Sequence, residues 1–171
     1  MPGNYTHIDV CTCPAFNYTG GKCQPGSYCP EGSAAPIDCT SGWYCDDYEL
    51  STPKGLCDAG YYCPPGQTEA NPSAFECPAG YYCPEGSATF TACPIGTFSN
   101  STGNTNVTDC KPCTPGYYCD ALSMTKEQGE CSGGYYCPEG QTTASPISYE
   151  CPAGSYCPQG SPQPIICERG K

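Results

Sequence analysis

The chain has 171 residues and a formal net charge of −11, and 19 of its residues are Cys, 21 Gly and 20 Pro. Cys at about 11% exceeds the roughly 8–10% that marks a disulfide scaffold, while Ile, Leu, Val and Phe together number 15, about 9% against the roughly 20% below which no ordinary core forms. A helical bundle, a doubly wound enzyme and a membrane span are thereby excluded, and a chain folded without aliphatic packing must be held by cross-links.

Residues 1–22 are expected to form an N-terminal arm and a partial unit, strand-like over Asn4–Cys13. No basic segment followed by an apolar stretch opens the chain, so no signal peptide is expected there and Met1 is expected not to begin the precursor. Disulfides persist in oxidising compartments, which predicts an extracellular or cell-surface protein delivered by the secretory pathway. Four Asn-x-Ser/Thr sequons, at Asn4, Asn17, Asn100 and Asn106, add N-linked glycans as expected partners.

From Cys23 one pattern recurs: Cys, two residues, Gly, one residue, aromatic, Cys, then usually Pro-x-Gly. Eight tandem units fill residues 23–166, starting at 23, 39, 57, 77, 93, 113, 131 and 151, and residues 167–171 open a truncated further repeat. Cys-x-x-Gly suits a turn in which Gly takes a positive φ. The aromatic before the second Cys supplies a flat ring to cover sulfur in place of an aliphatic core, and Pro-x-Gly makes a second turn. The fold class expected is small disulfide-rich repeats: short, irregular β-hairpins stacked into an elongated rod, with almost no helix. The only helical leaning is at Ala121–Gln128, about one turn.

The segment CPAGYYCPEGS from Cys77 resembles the ephrin-receptor-like cysteine-rich repeat, related in style to the cysteine-rich modules of tumour-necrosis-factor receptors. The copy at Cys93, CPIGTFSNSTGNTNVTDCKPC, is similar to the common form of that family, with Ser99 in place of the second Cys and an added Cys110. The resemblance covers residues 23–171 and implies a ladder of disulfide-linked hairpins forming a rod, and no catalytic activity.

Two pairing schemes satisfy the spacing. The preferred one joins the second Cys of each unit to the first of the next: Cys29–Cys39, Cys45–Cys57, Cys63–Cys77, Cys83–Cys93, Cys119–Cys131, Cys137–Cys151 and Cys157–Cys167, with Cys13–Cys23 and Cys110–Cys113. It leaves only Cys11, a candidate intermolecular cysteine. The other closes each unit on itself: 23–29, 39–45, 57–63, 77–83, 93–110, 113–119, 131–137 and 151–157, leaving Cys11, Cys13 and Cys167.

Catalytic and metal sets are lacking. The chain has one histidine, His7, and the short pairs Cys11-Thr-Cys13 and Cys110-Lys-Pro-Cys113 have no matching second half of a zinc site. The expectation is no enzyme, no metal and no cofactor; Asp46, Asp47 and Glu49 form a solvated acidic loop, with calcium coordination as its rival use. The acidic balance opposes nucleic-acid binding and direct membrane insertion of this segment. Alternation along a strand would turn one residue of each aromatic pair outward, giving a set of Trp43, Tyr61, Tyr81, Tyr117 and Tyr135 that either packs between units or forms an exposed contact stripe. The leading functional expectation is a structural protein that assembles with itself, end to end or laterally, into a fibre, coat or cell-surface hair. The alternative is a stalk or ligand-binding section of a receptor-like surface protein.

Overall fold

In the computed structural model, which describes residues 23–33 and 35–168, each Cys-x-x-Gly segment is a tight turn closed by a backbone hydrogen bond. In the unit at Cys39, for example, the Trp43 N–H donates to the Thr40 carbonyl at 2.9 Å while Gly42 holds φ +82°, the third-position conformation of a type II turn. The two residues after the glycine form a strand that pairs, antiparallel, with the two residues before the next unit's first Cys. Six such hairpins occur: Ser27–Tyr28 (β1) with Ile37–Asp38 (β2), Trp43–Tyr44 (β3) with Gly55–Leu56 (β4), Tyr81–Tyr82 (β5) with Thr91–Ala92 (β6), Thr97–Phe98 (β7) with Lys111–Pro112 (β8), Tyr117–Tyr118 (β9) with Gly129–Glu130 (β10), and Ser155–Tyr156 (β11) with Ile165–Ile166 (β12). In the two remaining units the pairing shrinks to single bridges, Tyr61 to Glu76 and Tyr135 to Glu150. The disulfide-rich hairpin fold expected from composition is therefore present. Helix is limited among the described residues to three-residue 3-10 turns at Ser73–Phe75, Val107–Asp109 and Ile147–Tyr149.

The interior is sulfur. Every hydrophobic residue buried among the described ones is a cysteine, and the fully buried side chains are eleven cysteines and Ser99. The disulfides close within units: Cys23–Cys29, Cys39–Cys45, Cys57–Cys63, Cys77–Cys83, Cys93–Cys110, Cys113–Cys119, Cys131–Cys137 and Cys151–Cys157. This corrects the preferred scheme. Strand register is the reason. Tyr28 faces Ile37 and Ser27 faces Asp38, so Cys39 lies level with Gly26, whose carbonyl accepts its N–H at 2.8 Å. Cys29 is at the other end of the pair, roughly 10 Å away at about 3.3 Å per strand residue, beyond the roughly 7 Å that a disulfide can bridge. The turn instead returns Cys29 to Cys23, with the Cα atoms 6.2 Å apart. The same register excludes the Cys45–Cys57, Cys63–Cys77, Cys83–Cys93, Cys119–Cys131, Cys137–Cys151 and Cys157–Cys167 bridges. Cys13–Cys23 and Cys110–Cys113 fail because Cys23, Cys110 and Cys113 are bonded elsewhere. Cys167 is a free, exposed thiol.

Units are joined by a ladder that repeats at all seven junctions. Between the units at Cys39 and Cys57, the Gly42 N–H donates to the Cys63 carbonyl, the Cys45 N–H to the Gln67 carbonyl, the Gly66 N–H back to the Cys39 carbonyl, and the Cys57 N–H to the Gly42 carbonyl. Counterparts of these four bonds, at 2.7–3.0 Å, link each unit to the next from Cys23 to Cys157. The contacts also reach two units ahead. A Cβ added to Gly60 would stand 2.8 Å from the Gly103 carbonyl oxygen, and one added to Gly96 would stand 2.7 Å from that of Gly140. Backbone thus packs on backbone, and a side chain at either position would block it.

The helical expectation at Ala121–Gln128 is overturned by this ladder. The Ser123 N–H donates to the Cys93 carbonyl, and the Met124 carbonyl accepts from the Ser99 N–H. The segment's polar backbone is committed to the preceding unit, and Ser123 takes φ +55°, which no α-helix accommodates.

Candidate functional site: an open ladder and its exposed face

At the last unit the ladder has positions without partners among the described residues. The Gly154 and Cys157 N–H groups and the Cys151 carbonyl occupy the places that are bonded at every earlier junction. Gly134 and Gly154 face open space where the corresponding glycines of the first six units each hold a carbonyl. Tyr156 is 52% exposed, whereas its counterparts Tyr28, Tyr44, Tyr62, Tyr82, Phe98, Tyr118 and Tyr136 are half-buried. Beside it Ile165 and Ile166 are exposed. Together they make an apolar face with backbone donors and an acceptor in the spacing of a repeat. At the other end, the Gly32 N–H is the turn donor whose counterparts reach back to a preceding unit, and it has no partner among the described residues.

The expected aromatic stripe is not evenly exposed. Trp43 and Tyr117 are 38% and 36% exposed; Tyr61, Tyr81 and Tyr135 are half-buried. Tyr81 packs edge-on against Phe90 at 4.6 Å between ring centroids, and Phe90 reaches Tyr62 of the preceding unit at 5.3 Å. Tyr81 is thus covered by the returning loop of its own unit on the side that strand alternation would leave open, and Tyr62 by the loop of the next unit.

The unit at Cys93 solves the loss of its second cysteine in two ways. Phe98 pairs with Lys111, so Cys110 falls level with Ser99 and supplies the sulfur that Ser99 lacks, its Cα 5.6 Å from that of Cys93. Ser99 is buried and its hydroxyl donates to Asn104 Oδ1 at 3.2 Å; Asn104 Nδ2 donates to the Tyr81 carbonyl at 2.7 Å and the Ser101 carbonyl at 3.0 Å. Asn100 and Asn106, the two sequons within the described residues, flank this network and are both exposed. Asn106 caps the 3-10 turn by accepting from the Thr108 N–H at 2.8 Å. Asp109 accepts from the Thr105 N–H at 2.7 Å, the Asn106 N–H at 3.2 Å and the Thr105 hydroxyl at 3.1 Å. Those backbone N–H groups, with the hydroxyl, hold its carboxyl below the usual carboxylate range. Asn4, Asn17, His7, Cys11, Cys13 and the N-terminal arm lie outside the described residues, as do residues 169–171.

In the acidic loop, Asp46 is paired with Lys54 at 3.2 Å, and that hydrogen bond raises the Lys54 pKa. Asp47 Oδ1 accepts from the Tyr48 N–H at 2.8 Å. Glu49 occupies the turn position that glycine fills in most units, at φ +57°.

A second-order period, legible in the sequence, is missed by counting units of mean length. Adding 74 to a residue number moves Cys39 to Cys113, Cys57 to Cys131, Cys77 to Cys151 and Cys93 to Cys167. The structure repeats with it: the Ser73–Phe75 turn with Ile147–Tyr149, the Tyr61–Glu76 bridge with Tyr135–Glu150, and the positive φ of Glu49 with that of Ser123. The Tyr62–Phe75 and Tyr136–Tyr149 ring pairs recur at the same 5.3 Å. From Cys39 onward the units repeat in blocks of four.

No family model matches the chain. White-brown complex homolog protein 30 of Arabidopsis thaliana is 28% identical over 129 residues, 73% of this chain and 9% of that protein. ABC transporter G family member 28 of the same plant is 36% identical over 98 residues, 57% of this chain and 8% of that protein. Cysteine repeat modular protein A of Toxoplasma gondii is 45% identical over 49 residues, 29% of this chain and 2% of that protein. The chain spans less than a tenth of the length of each. The architecture is a cysteine-rich tandem repeat with paired disulfides, similar to a cysteine repeat modular protein. Its many disulfides fit a secreted or extracellular protein of structural type, and no helix among the described residues is long and apolar enough to cross a membrane.

Proposed function

We propose that the chain is an extracellular structural repeat of the ephrin-receptor-like kind: a disulfide-stapled, N-glycosylated rod, without catalytic activity or cofactor, that joins end to end into a fibre, coat or cell-surface hair. The observation that carries this reading is the ladder, the same at all seven junctions among the described residues. In a one-dimensional array each unit is stabilised by its neighbours. Strand addition of this kind draws on main-chain hydrogen bonds for affinity. The partner is a second copy of the chain. Sedimentation and imaging of the native glycoprotein test the proposal. Particles longer than one chain support it; dispersed monomers at all concentrations refute it.

A second reading follows from the comparisons. Similar stretches make up less than a tenth of three longer proteins, one of them named as a transporter family member, which favours a stalk or ligand-binding section of a larger cell-surface protein. Monomeric material tethered to a membrane through a longer polypeptide would identify that case.

A further inference from the structure

We infer that Tyr48 is a site of tyrosine O-sulfation. The inference rests on the extracellular reading above, because the reaction belongs to the secretory pathway. The residue lies in Asp46-Asp47-Tyr48-Glu49, with acidic neighbours on both sides, and it is 57% exposed, the most exposed tyrosine among the large hydrophobic residues at the described surface. Two features hold it there. Its own N–H is tied to Asp47 Oδ1. The next residue turns at φ +57° and anchors its N–H on the Cys23 carbonyl at 2.9 Å, so the loop is pinned on both sides of the tyrosine while its ring stays in solvent.

Six other tyrosines among the described residues are engaged. Tyr62, Tyr81, Tyr136 and Tyr149 are in ring pairs, Tyr44 lies over Gly55, and the Tyr117 hydroxyl donates to Glu130 at 3.4 Å. Tyr156 is exposed, but no acidic residue lies between Cys151 and Ser161. The four-unit block sharpens the contrast, since the counterpart of Tyr48 is Leu122, equally exposed and without a phenol.

The chemistry is a sulfonate transfer from phosphoadenylyl sulfate. The phenol oxygen attacks the donor sulfur, the sulfur–oxygen bond to the nucleotide phosphate breaks, and the phenolic proton leaves. The products are an aryl sulfate ester and phosphoadenosine phosphate, with no change of oxidation state. A transferase with a basic substrate cleft is steered to the acidic loop. The product is a strong-acid anion beside Asp46, Asp47 and Glu49, a patch suited to a Lys- or Arg-rich surface.

The folded, disulfide-intact protein is incubated with tyrosylprotein sulfotransferase and phosphoadenylyl sulfate, and labelled peptides are mapped by mass spectrometry. Tyr48 is expected to gain one SO3 roughly tenfold faster than Tyr156, with the preference falling about tenfold in D46N/D47N/E49Q and the label at this site absent from Y48F. Labelling of Tyr156 at an equal rate, or an unchanged preference in the triple variant, overturns the inference. In native material, an unmodified Tyr48 in chains whose Asn100 or Asn106 carries glycan overturns it as well. Native chains lacking both glycan and sulfate overturn it together with the extracellular reading, which separates the two failures.

Discussion

Gly60 and Gly134 form a matched pair for testing whether contact two units ahead stabilises the array. They are counterparts in successive four-unit blocks, both in Cys-x-x-Gly-Tyr-Tyr-Cys, and both sit at φ +89°. Alanine at either residue suffers the same left-handed strain, about 1–2 kcal/mol. Only at Gly60 would the new methyl meet backbone, 2.8 Å from the Gly103 oxygen; at Gly134 nothing lies within 4 Å. The carbonyl is less free to move than a side chain, because its peptide lies between two bonded groups, the Gly103 N–H on the Cys77 carbonyl and the Asn104 carbonyl on the Cys83 N–H. The excess penalty of Gly60→Ala over Gly134→Ala is therefore that of forced overpacking, about 1–3 kcal/mol. In a domain of this size each kcal/mol corresponds to roughly 2–4 °C in Tm. Urea and thermal unfolding of both variants with disulfides intact measure the difference, and hydrogen exchange at the Gly103 amide locates it. Equal destabilisation, within about 0.5 kcal/mol, would refute the contact as a source of stability.

Removing the buried amide with Asn104→Ala leaves the Ser99 hydroxyl and Tyr81 carbonyl without their partner, and should destabilise by about 1–3 kcal/mol; denaturant unfolding measures it. Ser123→Gly relieves a positive φ of 55° and should stabilise by up to about 1 kcal/mol, checked by the same assay. Asp109 has a folded pKa below its unfolded one, so its contribution is present above the ordinary carboxylate range and is lost as pH falls through the folded value. Exchange protection at the Thr105 and Asn106 amides should fall on acidification in the wild type, and be weak and less pH-dependent in Asp109→Asn. Non-reducing peptide mapping should return Cys39 linked to Cys45 and Cys93 to Cys110; a Cys29–Cys39 peptide would overturn the pairing.

The repeat, its turns and its lack of an aliphatic core are legible in the sequence because Cys, Gly and aromatic positions are fixed by local backbone geometry. The pairing of sulfurs is not, since spacing alone allows a cysteine to close forward or backward. It is decided by hairpin register, which sets Cys39 beside Gly26 and away from Cys29. Ala121–Gln128 reads as helical on propensity and is overridden by hydrogen bonds to Cys93 and Ser99 in the preceding unit. The exposure of Trp43 and Tyr117 follows from alternation, whereas the half-burial of Tyr81 needs Phe90, nine residues away on the returning loop. The loss of the second Cys at Ser99 and the added Cys110 are legible in the sequence, whereas the Asn104 partner that satisfies the buried Ser99 hydroxyl is not.

The 74-residue block has a consequence for how such a chain changes over generations. Because Cys39 and Cys113 open equivalent junctions, excising or copying everything between them leaves a seam with the same set of backbone hydrogen bonds. Unequal crossing-over at that point is silent to the fold. Length then becomes a free variable that selection can adjust in whole blocks, at fixed thickness and with no new interface to evolve.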